Sequence, residues 1–417
     1  MLNKHINNIQ NSFITNSFYL YLSYFSDYLL ALFFLPFIAT RLGTTNFGQI
    51  ALAQAFGVFM VLFFEFGSSV MATREVSIIK ENKISLKFFI SKILTFKILL
   101  LPVGIIISLF SIIFVPVFSF NPFYVLIVMV GAFFQGVSPV WFFLGIEKMK
   151  KVAISKMIFR LFGFILILFF VKNPGDGWIV LASYSLMSAL ISLYLIYKMI
   201  IKIGFFNLAT PIQSFEIYYK SKFSFILTII PIINQTLTTI ILSIYISPVQ
   251  LGLYLGANRI YRAFNSLFGP LSQSFFPKLS SNIHQSNFSS LKLIKNYLLL
   301  MLAIGLTLLL IIFFFSEHII LLFLGKDYLS SNIILKIFGI VIPLTAISNV
   351  FGRQWLLAIK KDYFYTITQL ISSLVSFTFF IFSLSKIGII SAPISLIVFE
   401  ITSILMIVFY WCFKNAF

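Results

Sequence analysis

The sequence holds a single cysteine, Cys412, and three histidines, His5, His284 and His318. One cysteine cannot close an internal disulfide or build a multi-cysteine metal site. The histidines fall at or outside the ends of the apolar runs described below, which argues against a His-based metal centre or an intramembrane proton relay. Charge is scarce: 10% of residues are Asp, Glu, Lys or Arg, against about 25% in a soluble domain. Acids are scarcer still, at 11 against 30 basic residues. No GxxxxGK[ST] loop is present, which disfavours nucleotide-driven work by this chain alone. The longest polar stretch, about residues 201–222, leaves no room for a soluble domain. Strand-like alternation is missing, so a β-barrel is disfavoured.

What remains is apolar. Hydrophobic residues make up 60% of the chain, and mean hydropathy is +1.04. Such a chain could not cover its surface with polar groups in water. The apolar runs fall at 17–40, 47–72, 88–116, 122–146, 153–171, 178–200, 223–246, 251–276, 291–316, 330–358, 362–384 and 388–411. Each is near the ~20 residues a helix needs to cross ~30 Å of hydrocarbon. Turn-forming stretches separate them: Ser119–Pro122, Lys172–Gly177 and Ser247–Pro248. The expected fold class is all-α polytopic, about 12 transmembrane helices. The opening MLNKHINNIQNSF shows no cleavable signal, so the first run is expected to act as an uncleaved anchor.

The formal net charge of +19 invites a nucleic-acid reading, but its distribution argues against one. Lys and Arg are scattered through short loops and form no basic domain. They alternate by side. With the N-terminus inside, the inner loops hold Arg74, Lys80, Lys83 and Lys87, then Lys148, Lys150 and Lys151, then Lys198, Lys202 and Lys222, then Lys360 and Lys361. The outer loops hold only Arg41, Lys172, Lys326 and Lys386. The positive-inside rule therefore puts both termini in the cytoplasm. The basic inner loops are also suited to gather anionic membrane lipids.

The chain repeats itself. WFFLGIEKMKK (Trp141–Lys151) resembles WLLAIKKDYF (Trp355–Phe364), and NFGQIALAQAF (Asn46–Phe56) resembles QLGLYLGANRI (Gln250–Ile260). Both offsets are close to half the chain, and matched pieces lie on the same side of the membrane. That is a parallel repeat of two six-helix bundles, an arrangement used by transporters that bind substrate between halves and alternate access by rocking. The expected division is residues 1–200, a cytoplasmic linker at 201–222, and residues 223–417.

Four stretches, LPFIATRLGTTNFGQIALAQAF (Leu35–Phe56), FEFGSSVMATREV (Phe64–Val76), WFFLGIEKMKK and LGLYLGANRIYRAFNSLFGPLSQSFFPKLS (Leu251–Ser280), resemble Wzx-type O-antigen and polysaccharide flippases. These belong to the multidrug/oligosaccharidyl-lipid/polysaccharide exporter superfamily. The resemblance spans nearly the whole chain. It implies a V-shaped pair of bundles with a central cavity lined mainly by helices one, two, seven and eight. It also implies an undecaprenyl-diphosphate-linked oligosaccharide as cargo, carried from the cytoplasmic to the periplasmic leaflet of the bacterial inner membrane, with other polysaccharide-assembly proteins as further partners. A multidrug exporter for organic cations and a membrane-embedded glycan polymerase are the alternatives. Three acids among more numerous bases fit the first poorly, and the lack of an outer domain disfavours the second.

The apolar runs enclose charges. Arg259 and Arg262 lie three residues apart on one face of the eighth run, about 12–17 Å from its start near Leu251. A charge at mid-bilayer costs at least ~2.5–3.5 kcal/mol. Guanidinium forks match phosphate oxygens, so a wet cationic cavity that receives an anion is the expected use, with Lys97, Arg160 and Arg353 as further members. Tyr254, Leu255, Phe264 and Leu267 are expected to face lipid. Asp27, Glu65 and Glu400 are the gating or ion-coupling candidates, with pairing to the bases as their structural alternative. Thr402, Ser403 and Asn234 are candidate oxygen donors beside Glu400. No cofactor is expected; Na+ or H+ coupling and the membrane potential are the candidate driving forces. Pro36, Pro231, Pro270 and Pro343 are expected to kink their helices.

Overall fold

In the computed structural model, every regular element among the described residues is a helix. The structure describes the backbone of residues 2–205, 207–269, 287–359 and 361–414, with 271, 272, 275 and 279 between them. Side chains are described for Tyr19, Leu22 and most positions from 34 onward, the main exceptions being 223–224, 226–228, 231–233 and 280–292. The side chains of Asp27 and Pro231, and the whole of Pro270, fall outside the described residues.

The helices in order are α1 (Leu2–Glu65), α2 (Ser68–Ile79), α3 (Lys83–Phe114), α4 (Pro116–Phe120), α5 (Pro122–Val137), α6 (Val140–Gly145) and α7 (Met149–Phe170). They continue as α8 (Gly177–Ile203), α9 (Pro211–Tyr245), α10 (Pro248–Asn265), α11 (Asn287–Phe323), α12 (Asn332–Ser348), a π-helix (Asn349–Leu356), α13 (Asp362–Ile387) and α14 (Ser391–Lys414). Eight helices among the described residues are long and apolar enough to cross a membrane. The last, Tyr363–Cys412, is 50 residues long and holds two of the expected runs, divided at Gly388 with φ 55°. The runs expected at 223–246 and 251–276 fall on α9 and α10.

Boundaries differ from expectation where the backbone turns left-handed. The stretch Leu2–Glu65 is two helices joined at Gly43, with φ 68° and ψ 171°. The expected helix 47–72 breaks after Glu65, because Phe66 (φ 46°) and Gly67 (φ 63°) are both left-handed, a conformation that ends a right-handed helix. Pro36 and Pro343 lie inside continuous helices. The π-helix follows directly on the second of these. His318 lies within α11, which runs past the expected end.

Contacts divide the chain into two units: residues 1–34 with 50–232, and residues 35–49 with 233–417. The expected linker falls inside the first unit. Among the described residues it lacks regular structure at 204–205 and 207–210 and is helical up to Ile203 and from Pro211.

The first unit is built on close helix approaches and serine bridges, the devices that hold helices together where lipid offers no hydrophobic drive. Phe64 is seated between two glycines. A methyl group on Gly104 or Gly136 would come within 2.4 Å of its ring or Cβ. Ser185 Oγ donates to the Ile127 carbonyl at 2.8 Å and Ser192 Oγ to the Phe134 carbonyl at 2.6 Å, stitching α8 to α5 two turns apart. Trp141, Phe142 and Phe143 are buried among Ile90, Ile93 and Leu195. In the second unit, Trp355, the repeat counterpart of Trp141, is also buried, on the π-helix, and lies 4.9 Å from Trp411. Each tryptophan thus precedes its basic turn from a short helical segment, α6 in one case and the π-helix in the other. Phenylalanines on the outer faces of α3, α7, α11 and α13 are exposed, as lipid-facing side chains are.

Candidate functional site

The second unit holds the arginine pair. Helix α10 begins with a capping box: Ser247 Oγ accepts from the Gln250 N–H and Gln250 Oε1 accepts from the Ser247 N–H, both at 3.3 Å, with Pro248 in the first turn. The cap sets the start three residues before the sequence reading. Arg259 and Arg262 therefore sit about 16 and 21 Å along the axis. The helix then breaks at Ser266–Leu267, so Arg262 is in its last turn. That end favours a cation, because unsatisfied carbonyls collect there.

The backbone places a second segment against α10. A methyl group on Gly252 would meet the Thr44 carbonyl oxygen at 2.1 Å, and one on Gly48 would meet the Pro248 carbonyl oxygen at 2.8 Å. Gly48 and Gly252 are the matched glycines of the sequence repeat, and here they abut. This contact puts the buried ring of Phe47 under the Arg259 guanidinium, whose carbon lies 4.8 Å from the ring centroid. Tyr328 meets Phe47 edge-on at 5.7 Å. Its buried hydroxyl has no hydrogen-bond partner among the described residues. One helical turn on, Arg262 Nε donates to Asn258 Oδ1 at 3.3 Å. Both arginines are half-buried. Tyr254 and Leu255, expected to face lipid, are buried. Tyr254 packs against Phe338 and hydrogen-bonds Thr239, and Tyr261 stacks on Phe338 at 4.8 Å. Phe264 is half-buried and Leu267 exposed, so of the face that the sequence assigned to lipid only the Tyr254–Leu255 turn is covered.

Glu400, on α14, is buried and accepts hydrogen bonds from Thr345 Oγ1 at 2.9 Å and from Ser348 Oγ, both on α12. Tyr261 is hydrogen-bonded to Thr345 in turn. A polar chain therefore runs from the α10 arginine helix through Tyr261 and Thr345 to the carboxylate. The oxygen donors proposed from sequence are elsewhere. Thr402 Oγ1 turns back to the Val398 and Phe399 carbonyls, and Ser403 accepts from Gln369. The hydroxyls that reach Glu400 come instead from Thr345 and Ser348 on α12. Arg353 is exposed on the π-helix, within electrostatic reach of Tyr365.

The first unit holds the remaining candidates. Lys97 has no exposed surface, and its ammonium donates to the Gly136 carbonyl at 2.6 Å. Glu65 lies within electrostatic reach of Lys97 and Lys156 and is hydrogen-bonded to Ser69. Arg160 lines a pocket of about 10 Å³ with Phe164, Ser183, Tyr184 and Met187, room for about one water. Lys92, near the start of α3, forms an ion pair with Glu216. Sequence reasoning did not single out Phe47, Asn258, Tyr261, Thr345 or Ser348. Asn258 was legible in principle, four residues before Arg262 on the same face. Phe47 was legible through the matched glycines.

Residues 13–283 match the polysaccharide biosynthesis protein family. A protein of Escherichia coli (strain K12) named "Putative O-antigen transporter" is 27% identical over 84% of this chain and 85% of its own length. One of Shigella dysenteriae with the same name is 26% identical over 82% and 85%. Among solved structures, the lipid II flippase MurJ in an inward closed conformation is similar with a TM-score of 0.78 at 20% identity, covering 95% of this chain and 87% of that one. An inward-facing multidrug resistance transporter of the MATE family, in the MOP superfamily, is similar with a TM-score of 0.75 at 14% identity, covering 93% and 94%. The fold is that of these transporters.

Proposed function

The chain belongs to the polysaccharide biosynthesis protein family, and we propose that it is a flippase rather than an enzyme. Its cargo is a lipid-diphosphate-linked oligosaccharide, an O-antigen or related repeat unit. It carries this from the cytoplasmic to the periplasmic leaflet of the bacterial inner membrane by alternating access, with both of its termini in the cytoplasm. The observation that carries the reading is the pair of half-buried guanidinium groups, Arg259 and Arg262, on one face of α10. Phe47 lies beneath the first and Asn258 accepts from the second. Guanidinium forks match the oxygens of a diphosphate. The names of the two bacterial relatives point to the same class of cargo.

Roles follow from placement. Arg259 and Arg262 receive the diphosphate, and exposed Arg353 supplies further positive charge. Arg160 serves in the first unit. In the conformation described, Lys97 is enclosed, so it meets cargo only if Glu65 and the Phe66–Gly67 joint rearrange. Glu400, reached from α10 through Tyr261 and Thr345, is the candidate site for coupling to Na+ or H+.

The test is flipping of a lipid-diphosphate sugar by reconstituted protein. Arg259→Ala and Arg262→Ala should each reduce transport at least tenfold with normal insertion and yield. Equal transport by both variants and wild type would reject the anion role. Faster transport of organic cations than of the lipid-linked sugar would favour a multidrug exporter.

A further inference from the structure

The end of α8, the non-helical residues 204–205 and 207–210, and the first turns of α9 make an elbow on the first unit. Three contacts fasten it to α3. Ser91 Oγ donates to the Asn207 carbonyl at 2.5 Å, the Ala209 N–H donates to Thr95 Oγ1 at 3.0 Å, and Lys92 pairs with Glu216. One face of early α9 is packed: Ser214, Ile217 and Ser221 are buried at helical spacing, and Ile217 belongs to the unit's core. The opposite side is apolar yet open. Phe205 is 88% exposed, Ile212 85%, Tyr219 66% and Leu208 58%.

The level of the elbow follows from α3. That helix has 32 residues, about 48 Å at 1.5 Å each, well beyond the ~30 Å of hydrocarbon. Ser91 and Thr95 lie about 12 and 18 Å from its start. The elbow is therefore at the headgroup boundary, where open aromatic and aliphatic side chains are stable and a water-facing loop would not keep them. Basic side chains outnumber acids on it. Lys198 lies 5.4 Å from the Tyr194 ring and Lys222 lies 5.2 Å from the Tyr219 ring. Lys202 is within electrostatic reach of Lys80, Lys148 and Lys151 from the neighbouring turns. The acids nearby are Glu216, paired with Lys92, Glu147, paired with Lys80, and Glu81.

We propose that this elbow is an interfacial anchor that docks on anionic phospholipid headgroups of the leaflet its lysines face. The aromatic rings sink beside the headgroups and the lysines bind their phosphates. The inference does not depend on the cargo, and its test does not use transport.

Cys412→Ser removes the single native cysteine, and Tyr219→Cys then carries a nitroxide label. The protein is placed in vesicles of phosphatidylglycerol or of phosphatidylcholine. The label should collide more often with oxygen than with a water-soluble nickel chelate. A label as open to the chelate as one in a hydrated loop overturns the proposal. In parallel, spin-labelled phosphatidylglycerol should be preferred over phosphatidylcholine at low salt. That preference should fall about fivefold for each of Lys198→Gln, Lys202→Gln and Lys222→Gln. Lys202 and Lys222 are exposed and Lys198 is half-buried, and glutamine keeps most of each stem, so the variants fold. An unchanged preference in the triple variant overturns the proposal equally.

Discussion

At residue scale, the arginine pair depends on two features of different legibility. The charge and spacing of Arg259 and Arg262 are plain in the sequence. What supports them is not, because Phe47 reaches Arg259 only through a backbone contact across distant segments. Gly252→Ala tests that contact. Its new methyl would lie 2.1 Å from the Thr44 carbonyl oxygen, and backbone there cannot yield cheaply. Overpacking of this kind costs about 1–3 kcal/mol, so the thermal midpoint in nanodiscs should drop. Flipping should fall along with it, because Phe47 shifts from beneath Arg259. Arg262→Lys keeps the charge and loses the fork. It should retain substrate capture at low salt but lower transport several-fold, which a comparison of rates at low and high ionic strength will read. Lys97 is a different case. Its depth was legible; its carbonyl partner was not. Lys97→Met leaves the Gly136 carbonyl without its donor, and a hydrogen bond to a charged group contributes about 1.5–3 kcal/mol. A lower melting temperature with the transport rate per folded molecule preserved is expected if Lys97 is purely structural. A loss of rate without a loss of stability assigns it to the transport path.

At element scale, the helices were readable because length and apolarity dictate them, whereas their breaks follow from single residues. Nothing in the composition of the 47–72 run marks Phe66 as left-handed, and the apolar pattern runs straight through it. The lipid-facing assignment of Tyr254 and Leu255 failed for a related reason. Inside a membrane protein, both lipid and neighbouring helices are apolar, so periodicity cannot tell them apart. The pairing of α12 with α14 through Glu400 was equally hidden, since Thr345 and Ser348 are ordinary helix hydroxyls until the fold sets them opposite a carboxylate. Glu400→Gln keeps an acceptor for those hydroxyls and removes the charge. If the carboxylate couples transport to a cation, this variant should flip cargo at a rate independent of an imposed Na+ or pH gradient, while wild type responds. Parallel responses of the two proteins would leave Glu400 a packing residue.

At the scale of the whole molecule, the outward transport proposed above has a physical driving force available to it. A diphosphate carries about two negative charges, and each gains ~2.3 kcal/mol per 100 mV in moving outward against an inside-negative potential. Flipping in liposomes should therefore speed up when a potassium diffusion potential is set negative on the lysine-rich side, and slow when it is reversed, with no nucleotide present. Insensitivity to polarity would mean that the cargo crosses electrically neutral. The duplication itself was visible in the sequence, but its consequence for residues 35–49 was not. Contact of the matched glycines draws this stretch into the unit formed by the second half of the chain. An early helix thus waits for a mate that the ribosome makes about two hundred residues later, on the order of 10–40 s at ordinary elongation rates. The two halves cannot mature one after the other as they leave the translocon. Until that mate emerges, the first arrivals must be held in a provisional arrangement, and slowing translation between them should raise the share of chains lost to quality control.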